Sequence, residues 1–295
     1  MEKTDAKYQA YLQILREELV PAMGCTEPIA LAYGAAVARR KLGCLPDTVS
    51  VQVSGNLVKN VKSVIVPNTG GLKGIPAAVT AGLVAGDPDR VLEVISVVTE
   101  EQKAEMAGFL QSHPIQVQLA DTPLTFDYTV TLTGGGHTVT LRIVNYHTNI
   151  VLLEKDGLRE IDLPVEGEQE TALTDRSVLN IKDIVDFADS VDVDELRPML
   201  DPQIQYNMAI AEEGLLHAYG SNVGKVLMST EASLERRARA KAAAGSDARM
   251  NGCEMPVVIV SGSGNQGITA SVPVIEYARS LGIPEERMYR ALAVS

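Results

Sequence analysis

The chain has 295 residues and a formal charge of −12, an acidic balance that argues against nucleic acid or an anionic membrane surface as partner. Aromatic residues make up 4% and tryptophan is absent, so the core must come from Ala, Val, Leu, Ile and Met, which suits closely packed helices. The cysteines at 25, 44 and 253 form neither a disulfide framework nor a C-x-x-C pair, no apolar run reaches about 18 residues, and Met1–Lys7 is no signal peptide, all of which points to a reducing, cytoplasmic setting.

In chain order, Tyr8 to Val20 carries Leu12, Leu15 and Leu19 at helical spacing. The heptapeptide Met23-Gly24-Cys25-Thr26-Glu27-Pro28-Ile29 then sets a thiol just before a helix that runs from Ile29 to near Leu42. Thr26 is the expected N-cap, Glu27 suits the positive first turn, and Pro28 gives up an N–H that has no helical partner. Among unpaired N–H groups a cysteine is stabilised as thiolate, which can be a nucleophile, a base or a metal ligand. The alternative is a buried cysteine beside an ordinary cap.

At Asp47 the period changes. Val49, Val51 and Val53 alternate with polar residues, and Val58 to Val66 reads as a further strand. The glycine-rich Pro67-Asn68-Thr69-Gly70-Gly71-Leu72-Lys73-Gly74-Ile75-Pro76 follows, ahead of a helix over Ala77–Ala85. It lacks the G-K-[ST] ending of a P-loop. Lys73 with the backbone of Gly70 and Gly71 can hold an anion, or the segment is a plain connecting turn. Pro88–Val98 reads as helix or short strand and Glu100–Ser112 as an amphipathic helix. From Ile115 the period returns to two. Val117 and Leu119 alternate, and Phe126–Leu132 and Thr138–Val144 flank the hairpin turn Thr133-Gly134-Gly135-Gly136-His137. A strand over Ile150–Glu154 runs into a turn at Asp156-Gly157.

After Leu173 the pattern is helical: Ile181–Phe187, Val193–Leu200, Pro202–Tyr219 and Gly224–Ala244. Asp201 and Pro202 read as a helix cap, and Arg236, Arg237, Arg239 and Lys241 as a solvated basic face. The apolar run Pro256–Val260 leads into Ser261-Gly262-Ser263-Gly264-Asn265-Gln266-Gly267 and a helix over Ile268–Leu281. Its glycines let several N–H groups point at one spot, and Ser261, Ser263, Asn265 and Gln266 add side-chain donors, a set suited to a carboxylate or phosphate. The heptapeptide contains G-x-G-x-x-G, but a dinucleotide site wants a following strand, whereas Ile283-Pro-Glu-Glu-Arg-Met-Tyr-Arg-Ala-Leu292 starts another helix.

Taken together, Gly24-Cys25-Thr26-Glu27-Pro28, Asn68-Thr69-Gly70-Gly71-Leu72-Lys73-Gly74 and Ser261-Gly262-Ser263-Gly264-Asn265-Gln266-Gly267 resemble the serine dehydratase alpha-like family, most closely its L-cysteine desulfidase branch, over essentially the whole chain. The resemblance implies an oxygen-sensitive enzyme with a [4Fe-4S] cluster and no pyridoxal phosphate. Its substrate is a small L-amino acid, which loses its β-substituent to give pyruvate and ammonia, with sulfide when the substrate is L-cysteine; an L-serine dehydratase of the same type is the alternative. Cys25 matches the family's N-terminal cysteine, as cluster ligand or as acid/base group, with Thr26 and Glu27 orienting it. In such a reaction the turns carrying Asn68, Thr69, Gly70 and Lys73, and Ser261, Ser263, Gly264, Asn265 and Gln266, are expected to hold the substrate carboxylate. The family's other cluster cysteines lie beyond the end of this chain, whose last residues, Arg290–Ser295, stop inside a helical pattern. A cluster-free amino-acid-binding or regulatory subunit is therefore the rival reading, and a homo-oligomer or a partner chain supplying the C-terminal region is expected.

The fold class is α+β. A mainly helical catalytic region, 1–45 and 171–295 and C-terminally incomplete, carries a smaller mixed α/β domain, 46–170, inserted after the N-terminal helices. His113, His137, His147 and His217 show no zinc spacing. His217 pairs with Glu213 on a helix surface, His147 sits in a polar turn, Cys44 in a loop, and Cys253 takes no ligand role. Nothing in the sequence separates cysteine from serine as substrate, since the two differ in one β-atom.

Overall fold

The structure is a computed structural model that describes residues 1–165, 173–230 and 233–295. The chain divides into two compact units, 23–170 and 1–22 with 171–295. The expected boundary at 170–171 lies outside the described residues. The chain begins with α1 (Ala6–Glu18), where Asp5 caps the helix by accepting from the Lys7 N–H, and the short strand β1 (Pro21–Met23).

In the unit 23–170, α2 (Thr26–Leu42) and α4 (Gly74–Ala85) are the central helices. Between them come β2 (Thr48–Val53) and α3 (Gly55–Val61). After a 3-10 turn at Pro88–Glu93 come α5 (Glu100–Ser112), β3 (Gln116–Leu119), β4 (Asp127–Gly134), β5 (His137–Val144), β6 (Ile150–Lys155) and β7 (Leu158–Asp162). The sheet order is β3-β2-β4-β5-β6-β7. Among the described strands of this sheet the β2–β3 pair is parallel and the others are antiparallel. Val51, Val130 and Leu141 meet in register across three strands and are fully buried. The helix α2 packs on this face, where the buried Tyr128 hydroxyl donates to the Leu31 carbonyl at 3.1 Å. It also packs against α4 so closely that a Cβ on Gly82 would stand 2.0 Å from the Ala32 carbonyl oxygen.

The helix α2 therefore belongs with the sheet, not with the N-terminal helix as its place in the sequence suggested. Its buried run of Ile29 to Ala32 and Ala35, Ala36 and Ala38 is wide enough to be covered on two sides. A second correction concerns Val58–Val66. Residues to Val61 form α3, because Ser54 accepts from the Leu57 N–H and because Leu57 and Val61, spaced i and i+4, share one buried face. Strand β7 was not foreseen; it is exposed at the sheet edge, where no apolar alternation is needed.

The other unit is helical: α6 (Ile181–Ser190), α7 (Val193–Leu216), α8 (Val223–Met228), α9 (Leu234–Met250), α10 (Gly264–Ser280) and α11 (Glu285–Val294), with the short strand β8 (Pro256–Val258) paired to β1. Helix α7 runs unbroken through Pro198 and Pro202, where two helices were expected. Leu196, Leu200 and Ile210 lie on one fully buried stretch, and that packing outweighs the lost backbone bonds. Asp201 is thus no cap; it accepts from the Tyr289 hydroxyl of α11. The expected helix Gly224–Ala244 is two elements, α8 and α9, the second capped by Ser233. Its basic face is only partly solvated, because Arg237 and Lys241 both grip Glu276 of α10, a carboxylate whose side chain is 8% exposed. Asn207 binds β8 as a strand would, taking the Val258 N–H at 2.8 Å and donating to its carbonyl at 3.1 Å.

Candidate functional site

Gly24 has φ +58°, and a Cβ there would stand 2.8 Å from Pro67 Cγ. This contact brings the Cys25 turn against the start of the Asn68–Gly74 loop. The turn places the N-cap one residue earlier than expected. Cys25, not Thr26, is the N-cap of α2, and it makes no side-chain cap bond. Its thiol is spent on a carboxylate, since Sγ donates to Glu27 Oε2 at 3.0 Å. Thr26 Oγ1 donates to the same oxygen at 3.3 Å, and Asn60 Nδ2 of α3 donates to Glu27 Oε1 at 3.3 Å. Cys25 is 6% exposed and Thr26 2%, while Glu27 is half-buried. The geometry is therefore a thiol sharing a proton with a carboxylate. Asn60 went unnoticed because it sits in the stretch misread as a strand.

In the second loop, Asn68 and Thr69 are turned inward. Asn68, at φ +57°, donates from Nδ2 to the Ile95 carbonyl at 2.8 Å. The Thr69 hydroxyl donates to the Val66 carbonyl at 2.7 Å and accepts from the Leu72 N–H at 3.1 Å. Both side chains shape the loop. Gly70 and Gly71 take φ +70° and +90° with open space around them, so the backbone at this tip is exposed. Lys73 is exposed and is the N-cap of α4, which starts at Gly74, earlier than the expected Ala77.

The Ser261–Gly267 motif lies in the other unit. Ser261 (φ +47°) and Gly262 (φ +71°) are the two tip residues of a tight turn in which Val260 and Ser263 exchange both backbone bonds, the geometry of a two-residue hairpin. The Ser261 N–H is not aimed at a ligand; it donates to Glu18 Oε2 at 2.9 Å. Ser263 caps α10 by accepting from the Gln266 N–H. Helix α10 therefore begins at Gly264, ahead of the expected Ile268. Asn265 Oδ1 accepts from Arg249 Nη1 at 3.0 Å. Arg249 is 4% exposed and lies over Gly264, where a Cβ would meet its Nε at 2.2 Å. Gln266 is exposed. Arg249 ends an Ala-rich helix, and no sequence signal marked it.

A [4Fe-4S] cluster is held by about four cysteine thiolates, and the donor set of this chain does not supply them. Cys25 and Cys44 stand at opposite ends of α2, roughly 25 Å apart at 1.5 Å per residue. Cys253 belongs to the other unit. It is buried, which pushes its thiol up, and it is hydrogen-bonded to Tyr219. Among the described residues no group of three or more His, Cys, Asp or Glu stands close enough to hold a metal ion. The three cysteines of this sequence do not complete the set. The histidines are engaged elsewhere: His217 Nδ1 pairs with Glu213 at 2.8 Å, His137 pairs with Asp156 at 2.6 Å, and His113 stacks on Phe109. No helix among the described residues is long and apolar enough to cross a membrane.

A sequence profile described as serine dehydratase alpha chain matches residues 89–295. A UPF0597 protein of Desulfitobacterium hafniense is 52% identical over 100% of this chain and 69% of its own length. UPF0597 proteins of Treponema denticola and Lachnoclostridium phytofermentans are each 46% identical over 98% of this chain and 69% of theirs. No solved structure matches. With more than half of the chain under the family profile and relatives at this identity along its whole length, the chain belongs to the serine dehydratase alpha chain family.

Proposed function

We propose that the protein is a lyase of amino-acid catabolism that removes the β-substituent of a small L-amino acid, with L-cysteine as the substrate and L-serine the alternative. The observation that carries this reading is the Cys25–Glu27 pair, Sγ to Oε2 at 3.0 Å. β-Elimination needs two proton movements. A base takes the Cα proton, the C–H electron pair becomes the Cα=Cβ bond, and Cβ–S breaks to release sulfide as the leaving group takes up a proton. The aminoacrylate then hydrolyses to pyruvate and ammonia. A thiol and a carboxylate sharing one proton can serve both movements. Cys25 is the acid/base group and Glu27 its proton partner, while Thr26 helps hold Glu27. The open backbone at Gly70 and Gly71, with Lys73 nearby in the chain, is the carboxylate-binding element of this unit. Ser263, Gly264, Asn265 and Gln266 form a second element, at the N-terminus of α10.

The family implies a [4Fe-4S] cluster. Cys25 would hold it together with ligands that the three cysteines of this sequence do not supply, and no proton step above depends on it. The setting is cytoplasmic. The incomplete donor set also favours one rival, a cluster-free amino-acid-binding subunit; brown colour and iron content after anaerobic purification separate the two. The reading is tested with Cys25→Ala and Glu27→Gln. Each is expected to lower turnover of L-cysteine by roughly 10²–10⁴-fold, with substrate binding measured calorimetrically within a few-fold of the parent. Turnover unchanged in both variants removes the pair from the reaction.

A further inference from the structure

We propose that the helical unit pairs with a second copy of this chain, the exposed row Ile181, Val185 and Asp189 of α6 seating in the partner's groove between α10 and α11. The groove holds about 470 Å³. Its walls are Val274, Tyr277 and Leu281, the residue that ends α10, and Arg287, Met288 and Ala291 of α11. Val274, Tyr277 and Leu281 recur at i, i+3 and i+7, the spacing of a helix face that meets another helix. Leu281 is 62% exposed, and Arg287 and Ala291 are exposed with it. Among the described residues of the lining, Arg287 alone is charged. Its neighbours Glu285 and Glu286 are engaged with Arg197 and Arg290, and Arg287 enters no ion pair among the described residues. In a chain with 38 acidic and 26 basic residues, an arginine left over beside an apolar groove calls for an acidic partner.

Helix α6 supplies the matching surface. Ile181, Val185 and Asp189 stand four residues apart, on one ridge of the helix. Ile181 is 84% exposed, and Val185 and Asp189 are exposed as well. A single exposed apolar side chain needs no explanation. Here two of them share a ridge with a carboxylate, and the groove is apolar with one charge of opposite sign. The other carboxylates of α6 are taken, Asp183 by Lys7 and Asp186 by the amino group of Met1. Asp189 enters no ion pair among the described residues. Asp189 of one copy and the partner's Arg287 therefore set the register, and the apolar side chains supply the burial. Helix α11 links the two surfaces. Its Arg287, Met288 and Ala291 line the groove, while its Arg290 donates from Nη1 to the Ala188 and Val191 carbonyls at the end of α6, at 2.6 and 3.0 Å. With ridge and groove on neighbours of one helix, a two-fold axis lets each copy give its ridge and receive the other's, and two equal contacts close at a dimer.

The test is sedimentation velocity of the full chain over about 1–100 μM, a span that brackets micromolar dissociation. The parent is expected to be a dimer at the upper end. Val185→Lys on the ridge and Leu281→Lys in the groove are each expected to weaken the dimer about tenfold or more, as for a charge placed in an apolar contact. Both positions are exposed within one copy, so the far-ultraviolet circular dichroism should match the parent. Ile181→Lys replaces Val185→Lys if that variant fails to fold. Asp189→Arg and Arg287→Asp are each expected to weaken the dimer roughly threefold or more, because each sets like charges against one another. Both changes in one chain should restore parent dimerisation, since every contact regains an opposite pair. Residues acting only within their own copy give no such rescue. A chain that stays monomeric at about 100 μM overturns the proposal and leaves the groove to a helix of another protein. A dimer indifferent to Val185→Lys and Leu281→Lys overturns it too, as does a double variant as weak as the two single changes combined.

Discussion

At the scale of single residues, the site turns on Gly24. Its positive φ and its contact with Pro67 fix where Cys25 stands and how the helix starts. Gly24→Ala is expected to destabilise the protein by about 1–3 kcal/mol, from left-handed strain and from the clash with the proline ring, and to displace Cys25 from Glu27. Thermal melts with peptide-resolved alkylation check both effects. Side chains in the neighbouring loop teach the opposite lesson. Asn68 and Thr69 were expected as ligand donors, and in the structure the Asn68 amide and the Thr69 hydroxyl donate to the Ile95 and Val66 carbonyls. Thr69→Val is therefore expected to lower stability by about 1–3 kcal/mol, as for a lost buried hydrogen bond, with any loss of substrate affinity arising through loop shape.

Secondary elements were legible where local chemistry and packing agree. The β4–β5 hairpin follows from its glycine turn, and α5 from the amphipathic pattern of Glu100–Ser112, which the structure closes with a Thr99 and Gln102 capping box. The elements that were misread are those where one overrides the other. Helix α3 carries valines that suggest a strand, but its Ser54 cap and buried i, i+4 pair make it a helix, and Asn60 was hidden with it. Helix α7 carries two prolines that suggest a break, yet its continuous buried face holds it together. Arg249 is invisible for another reason: only the tertiary placement of α9 beside the start of α10 gives it a role. Helix packing also makes a pH prediction at Glu276, between Arg237 and Lys241. Burial pulls its carboxyl upward, but the hydrogen bonds and charges of Lys241 and Arg237 win and hold it below its ordinary 4.5. A carboxylate with a depressed folded value stabilises above its unfolded value and loses that stabilisation as pH falls through the folded one. Glu276→Gln should thus cost about 1–3 kcal/mol at neutral pH, less than a fully buried pair because Arg237 is 38% exposed. The difference from the parent should shrink once pH drops below 4.5; denaturant melts across acidic pH measure it.

At the scale of the whole molecule, the fold class was readable as α+β from the switch between helical and alternating periods, and the family from three short motifs. The placement of α2 was not, because a wide apolar helix does not declare what covers it. The unit 23–170 has its own sheet, helices and core, so the fragment 23–165 is expected to fold alone with a cooperative calorimetric transition; a fragment without one shows that its core depends on the rest of the chain. The central claim is β-elimination served by Cys25 and Glu27. Its most direct measurement is the release of pyruvate and sulfide from L-cysteine by protein purified anaerobically and supplied with iron and sulfide. The two products are expected in equal amounts, and both are expected to be lost in Cys25→Ala. Protein that carries about four irons per cluster, binds L-cysteine and releases neither product contradicts it.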